Sequence, residues 1–128
     1  MGLLILLRCK VLDKGLLLEA SAVASWPESQ PEGRVAGAAR VIHGPGEFNQ
    51  MRLGDILVAK ITTPAWTPLF ALAAGVVTDV GGPLGHSSIV AREYHIPAVL
   101  GTGVATERIR SGQRIAVDGD GGVVTMGG

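Results

Sequence analysis

Cysteine is almost absent from this sequence, which has only Cys9 among 128 residues. One cysteine cannot form a disulfide within the chain, so a small disulfide-stapled secreted scaffold is excluded. A reducing compartment, the cytoplasm, is therefore the expected location. The three histidines and Cys9 also lack the spacing of metal ligands, and we expect no metal site in this chain.

An excess of charge of one sign is missing too. Eleven Lys and Arg residues balance eleven Asp and Glu residues, so nucleic acid is not an expected partner. The apolar run at residues 3–7 ends at Arg8, far short of a membrane span, and the start of the chain lacks the ordered parts of a signal peptide. We therefore expect no membrane partner.

Glycine and aliphatic residues are what the sequence has in abundance. It contains 19 glycines and 47% hydrophobic residues but only 4% aromatic residues, which indicates an ordered domain with many turns and small-residue packing. A chain of this length suits one domain with one core.

The first 33 residues carry the weakest structural signal. Apolar clusters at residues 3–7 and 16–18 flank Lys14 and Gly15, a pattern that fits a hairpin and almost as well an apolar helix. Residues 25–33 have the composition of a linker. We therefore divide the chain into an N-terminal arm or linker, residues 1–33, and a domain, residues 34–128. The arm is either the remnant of a hinge or a packing or dimerisation element.

From Arg34 onward, short strands alternate with short helices. The pattern predicts strands at residues 34–42, 56–60, 76–80 and 98–100, helices at 65–74 and 86–94, and a hairpin joining 115–117 to 123–126. Thr62 or Thr63 is the expected cap of the first helix, with Pro64 at its first position. Residues 76–100 are typical of a β-α-β unit. The pattern indicates an α/β domain with helices on one side of its sheets.

The main functional signal is the stretch at residues 81–101, Gly-Gly-Pro-Leu-Gly-His-Ser-Ser-Ile-Val-Ala-Arg-Glu-Tyr-His-Ile-Pro-Ala-Val-Leu-Gly. Glycines follow an apolar strand and lead into a helix that is expected to begin at His86. Unpaired N–H groups and a positive dipole at a helix start stabilise an anion, and a neutral imidazole is a competent nucleophile. His86 is thus a candidate phosphoryl acceptor; from its position alone, a purely structural histidine is an equal alternative.

This stretch resembles the phosphohistidine signature of the phosphoenolpyruvate (PEP)-utilising enzymes, which include pyruvate phosphate dikinase, phosphoenolpyruvate synthase, enzyme I of the sugar phosphotransferase system and rifampin phosphotransferase. The likeness extends to residues 54–59, 63–69 and 112–119. It implies the swivelling β/β/α phosphohistidine fold in a single compact domain. It also implies that a ring nitrogen of His86, expected to be the ε nitrogen, is phosphorylated and passes the group on. The δ nitrogen then needs a hydrogen-bond partner, which the sequence does not name.

Three neighbours of His86 are candidates to contact the phosphate. Gly85 permits close approach of the backbone, and the hydroxyl groups of Ser87 and Ser88 can bond phosphate oxygens. Helix capping and tight packing explain the same residues equally well. Asp79 is expected either to orient His86 or to cap the glycine turn.

The resemblance also implies partners for this domain. Phosphate would reach His86 from an ATP-grasp nucleotide-binding domain and leave for a PEP/pyruvate barrel domain or another acceptor, in cis or in trans. We expect ATP and magnesium on those partner domains, no cofactor on this one, and no turnover by the chain alone. The alternative is a non-catalytic interaction or regulatory module that retains the fold. The lack of partner domains and Leu84, where several family members have threonine, favour that alternative.

Overall fold

Ten strands and three α-helices make up the described part of the chain. The structure is a computed structural model. It describes residues 3–6, 10–11, 17–19, 22–25, 34–81, 85–119 and 122–126. The strands are β1 (Leu3–Leu6), β2 (Lys10–Val11), β3 (Leu17–Glu19), β4 (Ala22–Ser25), β5 (Arg34–Val41), β6 (Ile56–Ala59), β7 (Gly75–Thr78), β8 (Ala98–Leu100), β9 (Arg114–Asp118) and β10 (Val123–Met126). The α-helices are α1 (Thr67–Phe70), α2 (His86–Glu93) and α3 (Ala105–Arg108), and short 3₁₀ helices cover Pro45–Gln50 and Pro64–Trp66.

One long strand joins the two halves of the sheet. The strand order is β1-β4-β8-β7-β6-β5-β9-β10-β3-β2. The first part of β5 pairs antiparallel with β9, from Arg34 opposite Asp118 to Ala38 opposite Arg114. Its last residues pair parallel with β6, beginning at Ala39. Because β5 belongs to both halves, the sheet curls, and one half can pack against the other.

The parallel strands β6, β7 and β8 are covered on both faces. All four residues of β6 are buried, as expected for a continuous apolar run in a parallel sheet. Leu57 and Ala59 belong to a core cluster with side chains of α1 and α2. Ile56 and Val58 belong to a second cluster with side chains of β9 and β10. Since successive side chains of a strand point to opposite faces, the layers are antiparallel hairpin, parallel sheet and helices.

This layering confirms the expected β/β/α arrangement and corrects one detail. The sequence pattern placed the helices on one side of the sheets. Helix α3 instead contributes Ala105 to the cluster that faces the hairpin, whereas α1 and α2 contribute to the opposite cluster. Ala105 is small enough to lie in the space between the two sheets. Among the described residues, no helix has both the length and the apolar character needed to cross a membrane.

Most predicted elements of residues 34–126 are confirmed. β7 and β8 are parallel neighbours with α2 between them in the chain, which is the expected β-α-β unit. β9 and β10 form the expected antiparallel hairpin. The helix predicted at residues 65–74 is much shorter: a 3₁₀ turn precedes α1, which has four residues. Pro68 has no N–H to donate, so a regular helix cannot run through Pro64 and Pro68 together.

Described pieces of the N-terminal arm form strands at both ends of the sheet. β4 pairs with β8 at one end, and β3 pairs with β10 near the other. β2 and β3 are antiparallel, as a turn at Lys14 and Gly15 requires, although these two residues lie outside the described ones. The apolar cluster at residues 3–7 does not pair with the second cluster, because β1 pairs with β4. Of the predicted linker at residues 25–33, Ser25 is the last residue of β4, and residues 26–33 lie outside the described residues. The division of the chain after residue 33 stays a prediction.

Candidate functional site

The site lies where the loops after β6 and β7 meet. These strands are parallel neighbours, so their carboxyl ends reach the same edge of the sheet. Ligand sites of α/β sheets commonly form at that edge. The loop after β6 carries Thr62, and the chain after β7 leads to His86 at the start of α2. Residues that are 24 positions apart in the sequence are thereby brought into contact.

The imidazole of His86 is held on both nitrogens and against one aromatic ring. Its Nδ1 lies 2.7 Å from Oγ1 of Thr62, and its Nε2 lies 3.2 Å from Oγ1 of Thr67. The ring of Phe70 meets it edge to face, with 5.8 Å between centroids and 86° between planes. Thr62 is thus the δ-nitrogen partner that the sequence left unnamed.

Thr62 also connects His86 to the next residue of α2. Its Oγ1 lies 2.5 Å from Oγ of Ser87, so one threonine hydroxyl touches both a ring nitrogen and a serine hydroxyl. Thr62 and Ser87 are buried, with 4% and 5% of their surfaces exposed. Water therefore has little access to these hydrogen bonds.

Partial burial lowers the pKa of the His86 imidazole below its ordinary value of 6.5, because desolvation penalises the charged ring. At neutral pH the ring is therefore uncharged and keeps a lone pair on one nitrogen. This is the protonation state in which a histidine acts as a nucleophile.

A small cavity of about 60 Å³ opens beside His86. Gly85, Ser87 and Ser88 line it with His86, so the structure brings the four predicted site residues together. The hydroxyl oxygen of Ser88 is fully buried and has no hydrogen-bond partner among the described residues. A buried hydroxyl without a partner is costly, and a ligand oxygen in this cavity would remove that cost.

Asp79 has a role that neither sequence-based alternative described. Its carboxylate accepts hydrogen bonds from the backbone N–H of Thr106, 3.0 Å away, and from the hydroxyl groups of Thr106 and Thr102. Asp79 therefore ties the end of β7 to the first turn of α3. Leu84, the departure from the family pattern, lies outside the described residues.

Within the described ranges, no group of three or more His, Cys, Asp or Glu side chains is arranged to hold a metal ion. His43 is exposed and bonds Glu47 through its backbone N–H and its ring. His95 is exposed as well. Cys9 lies outside the described residues.

Thr62, Thr67 and Phe70 are the site residues that sequence reasoning missed. Thr62 was considered only as a helix cap, yet Thr63 is the residue that precedes the first turn. A usable signal did exist: hydroxyl residues that follow one parallel strand are expected beside a histidine that follows the neighbouring strand. The pattern of a single segment does not contain that information.

Comparison with known proteins identifies close relatives of this domain. The family model described as "PEP-utilising enzyme, mobile domain" matches residues 51–122. The uncharacterized phosphotransferase YvkC of Bacillus subtilis is 52% identical over 94 residues, which is 73% of this chain and 11% of that protein. Phosphoenolpyruvate synthase of Escherichia coli is 39% identical over 123 residues, which is 89% of this chain and 16% of that protein.

A solved structure of Enzyme I is similar as well. It is 33% identical, with a TM-score of 0.55 over 62% of this chain and 33% of that chain. The chain thus spans only a small part of the length of these relatives. Because the family model covers more than half of the sequence and the fold agrees with that of Enzyme I, this chain belongs to the PEP-utilising enzymes as their mobile domain.

Proposed function

We propose that this domain is a phosphoryl carrier in which Nε2 of His86 accepts a phosphoryl group and later gives it to a second acceptor. The observation that carries the proposal is the geometry of the ring. An uncharged imidazole, fixed through Nδ1 by Thr62, stands at the start of α2 beside a cavity lined by Ser88, whose hydroxyl has no partner among the described residues. A purely structural histidine does not require such a cavity.

The transfer step follows from this arrangement. The lone pair of Nε2 attacks phosphorus, the N–P bond forms, and the bond from phosphorus to the donor's oxygen breaks, with its electron pair leaving on that oxygen. The ring keeps the proton on Nδ1 and becomes positively charged. Oγ1 of Thr62 accepts the hydrogen bond from this N–H and stabilises the charge. In the second half of the cycle an acceptor attacks phosphorus and the electron pair returns to Nε2.

Gly85, Ser87 and Ser88 are proposed to hold the phosphoryl oxygens. The first helical hydrogen bond of α2 runs from the N–H of Ile89 to the carbonyl of Gly85, over 3.1 Å. The N–H groups of His86, Ser87 and Ser88 therefore have no acceptor within the helix, and none outside it among the described residues, so they can bind an anion. The positive end of the helix dipole favours the same charge.

The donor and the final acceptor are proposed to lie on other domains. The relatives are a phosphotransferase and a phosphoenolpyruvate synthase, and this chain corresponds to 11% and 16% of their lengths. An ATP-grasp nucleotide domain with magnesium fits the donor, and a PEP/pyruvate barrel or another acceptor fits the second site, in cis or in trans. ATP and magnesium would bind there and not to this domain. We retain the cytoplasm as the proposed location, because a single cysteine suits a reducing compartment.

A second candidate function is a non-catalytic interaction or regulatory module. It is favoured by three exposed apolar side chains near His86, namely Ile61, Val80 and Ile89, which are 51%, 48% and 48% exposed. Ile61 and Val80 line the same cavity as His86. An apolar rim of this kind suits docking to another protein surface, with or without transfer of phosphate.

Labelling with phosphoramidate, a small phosphoryl donor that needs no partner domain, separates the two candidates. Intact mass is measured for the wild-type chain, His86→Ala and the matched control His43→Ala, whose histidine is exposed. The carrier proposal predicts one added phosphate on the wild type and on His43→Ala and none on His86→Ala. The label should survive base and disappear in mild acid, as phosphohistidine does. An unlabelled wild type, or an acid-stable label, would favour the interaction module.

A further inference from the structure

The hydrogen bonds between His86, Thr62 and Ser87 can run in only two directions. The Thr62 hydroxyl has one proton but two close partners, Nδ1 of His86 at 2.7 Å and Oγ of Ser87 at 2.5 Å. Within the described residues this hydroxyl has no third partner, and a buried O–H group needs an acceptor, so it donates to one of the two and accepts from the other. Because all three atoms are linked in line, the direction at Ser87 decides the direction at His86.

In one direction Ser87 donates to Thr62, and Thr62 donates to Nδ1. The proton of the neutral ring then sits on Nε2, which has no lone pair for attack. In the other direction Nδ1–H donates to Thr62, Thr62 donates to Ser87, and Nε2 carries the lone pair. Thr67, 3.2 Å from Nε2, does not choose between the two, since its hydroxyl can either donate or accept.

Within the described residues, Thr62 is the partner of the Ser87 hydroxyl, and Ser87 is buried. A buried O–H group needs an acceptor, so an empty site favours donation from Ser87 to Thr62. A phosphate oxygen in the adjoining cavity is a stronger acceptor because it is charged. Ser88 lines the same cavity, and its buried hydroxyl has no partner in the described part of the chain, which independently indicates that the cavity takes a ligand with acceptor oxygens.

We propose that an anion in this cavity sets the tautomer of His86, with Ser87 and Thr62 as positioning residues. When Ser87 turns its proton to the anion, Thr62 donates to Ser87 and accepts from Nδ1–H, which leaves the lone pair on Nε2. The ring thus becomes a nucleophile at Nε2 when a phosphate group is present. This inference rests on the proposed function, because it describes how the same site is prepared for transfer.

The test measures the tautomer directly and needs no transfer. Two-bond ¹H–¹⁵N correlation spectra of the ¹⁵N-labelled full chain report the ratio of Nδ1–H to Nε2–H for His86. Inorganic phosphate is added to saturation above pH 7, where the ring is uncharged, and sodium chloride controls for ionic strength. For the wild type, the ratio should rise about two- to tenfold, the equilibrium factor of one ordinary hydrogen bond.

Four variants assign the effect to the named residues. Ser87→Ala should bind phosphate but show no rise in the ratio at saturation. Thr62→Val should also show none, and Thr62→Ser should restore the rise. Ser88 lines the same cavity but does not bond Thr62. Ser88→Ala should therefore need a higher phosphate concentration for saturation, but it should then reach the wild-type ratio.

An unchanged ratio in the wild type, or the same rise in Ser87→Ala, would overturn the inference. Should Ser87→Ala fail to fold, the comparison of Thr62→Val with Thr62→Ser decides in the same way. A shifted tautomer with no labelling of His86 would reject only the carrier function. Labelling of His86 without a tautomer shift would reject only the role of Ser87 and Thr62.

Discussion

Thr62→Val is the substitution that probes the core of the site most sharply. Valine keeps the shape of threonine and removes one hydroxyl, together with its contacts to His86 and Ser87. Ser87 is 5% exposed, and its hydroxyl loses its described partner. One buried polar group without a partner costs about 1–3 kcal/mol, which is the predicted fall in the free energy of unfolding.

Urea denaturation of the full chain measures that fall, with an unchanged m-value as the sign that only stability has altered. Thr63→Val is the matched control, because Thr63 is exposed and its hydroxyl caps no helix. It should stay within about 0.5 kcal/mol of the wild type. In a Ser87→Ala background, Thr62→Val should cost less by about 0.5–3 kcal/mol, since no buried hydroxyl is left unpaired. Equal losses in Thr62→Val and Thr63→Val, or zero coupling to Ser87, would show that the bond between Thr62 and Ser87 does not stabilise the fold.

Three further predictions concern the fold and its pH dependence. Asp55→Asn should lower the free energy of unfolding by about 1.5–3 kcal/mol in urea, because the buried carboxylate bonds Arg40 at 2.9 Å. Gly37→Ala should lower the free energy of unfolding by about 1–3 kcal/mol, since its Cβ would lie 2.8 Å from a backbone carbonyl oxygen. Gly46→Ala is the control, because open space surrounds Gly46 and no such clash arises. Burial lowers the pKa of His86, so below pH 6.5 the unfolded chain binds more protons at this site than the folded chain. The free energy of unfolding should therefore fall as the pH drops from 6.5 towards the lowered pKa. The urea midpoint of His86→Asn should fall less than that of the wild type over the same pH range.

Local pattern was sufficient to predict the core of the fold. The apolar run that ends at Thr78, the glycines after it and the short apolar run at Ala98–Leu100 each specify their own element, so the β-α-β unit needed no tertiary information. The predicted length of the helix after Pro64 was wrong, because two prolines four residues apart prevent a regular helix. The position of α3 between the sheets was also beyond the pattern, since four residues carry too little periodicity to reveal a buried face.

The candidate site was predictable only in part, for a physical reason. His86 and its neighbours form one continuous segment whose glycines, histidine and serines all act at a helix start. Thr62 and Thr67 reach the imidazole only after β6 and β7 pair and bring two loops to the same edge. Asp79 likewise gains its threonine partners through the pairing of β7 with β8 and the loop that follows.

The central claim, that Nε2 of His86 carries phosphate, is tested most directly by ¹H–³¹P correlation spectra of the chain after treatment with phosphoramidate. Phosphorus on Nε2 is three bonds from both carbon-bound ring protons, whereas phosphorus on Nδ1 is three bonds from only one. A phosphoryl group on Nε2 should give a phosphorus signal that couples to both ring protons of His86 and that vanishes in mild acid. Coupling to a single ring proton would contradict the choice of nitrogen, and a signal on any other residue, or none, would contradict the carrier function itself.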